Sequence, residues 1–98
     1  MNIQTYLADP VFDAAEIETF FHVKEFEIKN VGKYGFDGII VNNWHKEYDT
    51  IIDENICKQM FSSKMLLDNT GKLEAFAQKN GLLNYRLIGR SQWNKEAL

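Results

Sequence analysis

The chain is poor in the residues that staple, stiffen or punctuate a fold. Its 98 residues include one cysteine, one proline and six glycines. A lone cysteine, Cys57, allows no internal disulfide, so packing alone must hold the core, and a reducing compartment is expected. One proline, Pro10, and few glycines exclude collagen-like and linker-like chains. No unbroken apolar run exceeds three residues, so no segment reads as a membrane span. The N-terminus has no basic region followed by an apolar stretch, so no secretory signal is read there. A cytoplasmic protein without membrane contact is the expectation.

What is present is ordinary globular material. Hydrophobic residues make up 45% and charged residues 26%. That is enough apolar surface for one core, and the length suits one domain over 1–98, with 91–98 as a possible tail. Eleven bases face fourteen acids, a net charge of −3. The spread is uneven: residues 1–70 hold six lysines and twelve acids, and residues 71–98 hold five bases and two acids. This balance opposes general affinity for nucleic acid, which needs clustered Lys and Arg to neutralise phosphates. It opposes anionic membrane surfaces for the same reason.

Hydrophobic spacing predicts an α+β order. Residues 2–7 alternate as a strand. Asp9-Pro10 predicts a helix start, with Asp9 as cap and a helix over 10–21. Residues 22–30 alternate as a half-buried strand, and Asn30 to Gly35 reads as a turn. Residues 36–44 read as a second, β-branched strand, so the two form an antiparallel hairpin. The segment 46–52 fits either a strand or a helix. Thr50 and Asp53 have the spacing of a capping box, and a helix follows to about Leu67. Asp68 to Gly71 breaks it, 72–80 resumes it, and 82–89 is a last strand. This is the βαββαβ order of the ferredoxin-like fold, a four-stranded antiparallel sheet with two helices on one face. Phe20, Phe26, Ile28, Ile39, Val41, Phe61, Phe76 and Leu87 are its expected core.

Candidate chemistry is thin. His45, Glu47 and Asp49 would share one face if extended, and could then hold a metal or work as an acid–base pair. No other histidine is near in sequence, so a surface role is the simpler reading, with no metal and no cofactor expected. Cys57 sits on an apolar helix stripe and reads as core rather than nucleophile. Gly32, Gly35 and Gly38 recur every third residue, but a strand follows them where a phosphate loop needs a helix.

Two short stretches resemble known families. Lys33-Tyr34-Gly35-Phe36 resembles the aromatic strand signature of RNA-recognition motifs, which implies base stacking on those rings. The glycine after the basic residue is missing, and Asp37 stands at an apolar position of that signature. Tyr6 to Phe12 resembles the opening strand and loop of nucleoside deoxyribosyltransferases, with Asp9 in place of their glycine. That family's glutamate-bearing, Gly-rich nucleophile segment has no counterpart, and no family is assigned.

The acids give the functional expectation. Asp13 and Glu16 neighbour each other on the first helix, and Glu25 and Glu27 share a strand face. Together with Trp93 as an aromatic anchor, they predict a non-enzymatic inhibitor, immunity or anti-defence factor. It would dock on the basic surface of a nucleic-acid-handling protein. A small enzyme or ligand-binding module of the dimeric α/β-barrel type, with a homodimer, is the alternative reading, and an RNA-recognition-like binder is a third.

Overall fold

The computed structural model of the chain describes residues 3–10 and 13–88. The elements run β1 (Tyr6–Leu7), α1 (Ala14–Phe21), β2 (Lys24–Glu25), a 3-10 segment (Ile28–Tyr34), β3 (Gly38–Val41), α2 (Tyr48–Ile51), α3 (Glu54–Met60), β4 (Met65–Asp68), α4 (Glu74–Lys79) and β5 (Tyr85–Leu87).

Every strand pairing is parallel. β1 pairs with β2, and a separate three-stranded sheet runs β3-β4-β5. The expected four-stranded antiparallel ferredoxin-like sheet is therefore absent, and the dimeric-barrel alternative loses the sheet it was built on. Two local facts account for the difference. The segment after Glu25 leaves the strand and coils into the 3-10 segment, where Val31 is 2% exposed and packs with the core. No hairpin then joins β2 to β3. The predicted end of the second helix is also a strand. Met65-Leu66-Leu67 is a continuous apolar run bounded by Ser62-Ser63 and Asp68-Asn69-Thr70-Gly71. Such a run suits a central parallel strand better than a helix stripe. Ser63 Oγ donates to Met60 O at 2.9 Å and closes off α3 before β4 begins.

The helix starts also move. α1 begins after Asp13, not Asp9. The Glu16 amide donates to Asp13 Oδ1 at 2.8 Å, and the Asp13 amide donates to Glu16 Oε1 at 3.1 Å, a reciprocal capping box. His22, with φ at 57°, ends the helix. Asp53 itself caps α3, accepting from the Ile56 amide at 2.9 Å. The ambiguous segment 46–52 holds the single helical turn α2.

Both crossovers of the three-stranded sheet place their helices on one face. Burial alternates accordingly. Ile39, Val41, Leu66, Asp68, Tyr85 and Leu87 face the helices, while Gly38, Ile40, Met65 and Arg86 are exposed. The core joins Val41 and Leu66 of the sheet to Ile56, Cys57, Met60 and Phe61 of the α3 region, to Leu73 and Ala77, and to Val31. Of the expected core, Val41 and Phe61 are buried, and Phe26, Ile28, Ile39 and Phe76 pack against the cluster. Leu87 is half-buried, and Phe20 is 61% exposed, outside it. Among the described residues, no helix is long and apolar enough to cross a membrane.

Among the described residues, no ladder joins the two sheets. The Tyr6 ring meets Phe36, just ahead of β3, at 5.4 Å, and Asp9 after β1 meets His45 after β3.

Leu66 is fully buried at the centre of the larger sheet. Leu66→Ala should cost about 2–5 kcal/mol, because the cavity cannot close between two paired neighbours. Urea unfolding followed by circular dichroism checks this. A loss below about 1 kcal/mol would be incompatible with a central position for this strand.

Candidate functional site

A cleft of about 320 Å³ opens beyond the carboxyl ends of β1 and β2. Ala8, Asp9 and Pro10 enter it from the turn after β1. Glu25 to Lys29 enter from the end of β2, and Tyr48 and Ile51 from α2. Its apolar lining is Pro10, Phe26, Ile28 and Ile51. Its charged lining is Asp9, Glu25 and Glu27 against Lys29.

Three contacts fix its walls. The Phe26 amide donates to Leu7 O at 3.1 Å and holds the β2 exit against β1. The Tyr48 hydroxyl donates to Ala8 O at 3.2 Å, although the two residues are 40 positions apart. His45 Nε2 lies 3.5 Å from Asp9 Oδ2, with both side chains partly exposed. Burial, then the charges of Asp9 and Glu47, push the Tyr48 hydroxyl up to about 12. It therefore stays protonated at neutral pH and acts as a donor, not a base.

The sequence-predicted residues distribute as follows. Glu25 and Glu27 come together in the cleft, joined by Asp9, which sequence spacing assigned to a helix cap. Glu27 also accepts from Asn30 Nδ2 at 3.1 Å. Asp13 and Glu16 are committed to the start of α1 and do not line the cleft. Trp93 lies outside the described residues. His45, Glu47 and Asp49 do not share an extended face, because a helical turn begins there. His45 turns to Asp9, and Asp49 accepts from Trp44 Nε1 at 2.8 Å. No cluster of three His, Cys, Asp or Glu that could hold a metal occurs among the described residues. Cys57 is buried, and burial, then Asp53 and Glu54, push its thiol up, away from a nucleophilic thiolate.

The rings of the RNA-recognition-like stretch are occupied with each other. Tyr34 and Phe36 stack at 5.2 Å with planes 1° apart, and Tyr6 and Phe26 close on their edges. Tyr34 sits in the 3-10 segment and Phe36 ahead of β3, so neither projects from a strand. Comparison with protein-family models, curated proteins and solved structures finds no match.

A second carboxylate was legible only as a helix breaker. Asp68, at the end of β4, is 0% exposed. It accepts from the Thr70 amide at 2.8 Å, Thr70 Oγ1 at 2.6 Å, the Leu73 amide at 3.1 Å and the Tyr85 hydroxyl at 2.7 Å. An aspartate two residues before a threonine, with glycine next, is the usual signal for such a side-chain turn. Burial alone would push its carboxyl up, but the bonds from Thr70, Tyr85 and Leu73 outweigh it and hold it below the ordinary range. Its role is structural, and its sign is testable. A carboxyl lowered in the folded state contributes fully above about pH 4, where a free aspartate is ionised. That contribution is lost as pH falls through the lowered folded value. Asp68→Asn should cost roughly 1–3 kcal/mol at neutral pH by leaving donors mismatched. It should also flatten the acid limb of the stability profile, measured as urea midpoints against pH. An acid limb as steep as the wild type's would contradict this role.

Proposed function

We propose that the protein is a non-enzymatic binding module that receives a basic side chain of a protein partner in the cleft at the carboxyl ends of β1 and β2. The observation that supports this reading is the convergence of Glu25, Glu27 and Asp9 around an apolar lining. A lysine or arginine suits that combination, since its stem covers apolar surface while its head stays with the carboxylates. The fitting partner is a nucleic-acid-handling protein whose phosphate groove already carries Lys and Arg. Blocking such a groove needs surface complementarity and no catalytic group.

The charge pattern predicts steering. Glu25→Lys with Glu27→Lys should slow association with an arginine-rich peptide by about tenfold or more at low salt. The difference should shrink as salt rises past the range where the Debye length falls below about 10 Å. Stopped-flow fluorescence reads both effects. Equal rates for the wild type and the reversed protein would show the acids to be a solubility feature. Reversal at Asp13 serves as a contrast. Asp13→Lys should cost about 1 kcal/mol of stability, since it removes the cap of α1, and should change the association rate less.

A further inference from the structure

The outer edge of β5 is covered by one of the strand's own side chains. In a parallel ladder, successive residues of a strand turn their backbone groups alternately toward one neighbour and away from it. Asn84 O accepts from the Leu66 amide at 2.8 Å, and the Ile88 amide donates to Asp68 O at 2.9 Å. Residues 84, 86 and 88 therefore address β4, and Tyr85 and Leu87 turn their backbone groups outward. Among the described residues, no strand pairs with β5 on that outer side.

The Arg86 side chain folds back to that side. Its Nη1 donates to Tyr85 O at 2.8 Å and to Leu83 O at 3.0 Å, both in exposed positions. Among the described residues, no carboxylate forms an ion pair with Arg86. Its charged donors are spent on backbone carbonyls.

This edge has reason to be covered. Leu83 beside it is 87% exposed. Ala77, Leu82 and Leu87 line a groove of about 290 Å³ between α4 and β5. An open strand edge with apolar neighbours is a template for another strand, and charged side chains are one way that proteins blunt it. Two copies related by a two-fold axis could lay their β5 edges together in antiparallel fashion. The Tyr85 carbonyl and the Leu87 amide are the groups that each copy would offer, and Arg86 holds the first of them.

We propose that Arg86 is an edge guard: by occupying the carbonyls of Leu83 and Tyr85, it keeps β5 from pairing with the β5 of a second copy.

Sedimentation equilibrium of the full chain tests this. Arg86→Thr removes the donors and leaves a side chain that suits a strand. The wild type should be a monomer at low and at high salt, because bonds to backbone carbonyls are not a screened repulsion between copies. Arg86→Thr should form a dimer at both salts, while circular dichroism keeps the wild-type signal. Hydrogen exchange at the Leu87 amide should slow in that dimer. Ile40→Asp added to Arg86→Thr should leave the dimer intact, since Ile40 lies on the sheet face and not on the edge. Should Arg86→Thr fail to fold, Arg86→Met keeps the apolar stem, removes the same donors and carries the same expectations. A folded variant that stays monomeric overturns the proposal, as does a wild type that dimerises on added salt alone. So does a variant dimer that Ile40→Asp dissolves or that leaves the Leu87 amide unprotected.

Discussion

The carboxylate of Asp68 ties the end of β4, the start of α4 and β5 together at one buried point. It ends the central strand of the larger sheet, and its two oxygens hold the turn after β4, the amide of Leu73 ahead of α4, and the hydroxyl of Tyr85 on β5. A buried charge is tolerated only when its acceptor sites are filled, and here they are filled by groups from each direction the chain takes next. The tie sets where α4 starts and how β5 lies against β4. The second crossover of the sheet, and with it the burial of Leu73, follows from that placement.

The N-terminal strand pair depends on a looser set of contacts. β1 and β2 share only a two-residue ladder. They are held to the rest by the ring cluster of Tyr6, Phe26, Tyr34 and Phe36 and by the Tyr48 hydroxyl on Ala8 O. The 3-10 segment between the two sheets is better anchored. The Gly32 amide donates to Gln59 Oε1 at 3.2 Å, and a Cβ at Gly32 would lie only 3.0 Å from that oxygen. Glycine is needed there for close approach, not for an unusual backbone angle.

Local signals in the sequence were readable where the chemistry was local. The strand around Ile39 to Val41, the Asp53 start of α3 and the helix near Phe76 all follow from spacing and capping. Pairing was not readable. Residues 22–30 and 36–44 alternate like a hairpin, but Val31 finds a place in the core, and the chain reaches it through a 3-10 turn. Residues 65–67 continue a helical stripe, yet the same three apolar side chains suit a strand buried between neighbours. Asp9-Pro10 carries a strong start signal, and Asp13 with Glu16 carries a stronger one four residues later. Of the cleft, Glu25 and Glu27 were legible as a pair. Asp9 and Tyr48 were not, because they lie far apart in the sequence and meet only in the folded chain.

The ladders of both sheets join residues 18 to 27 positions apart. The cleft needs residues 8 and 48 to meet across 40 positions. Closing it therefore carries a longer loop, and a larger entropic cost, than any of the ladders. Anything that occupies the cleft binds across that long-range junction, and its binding energy consolidates the N-terminal strand pair.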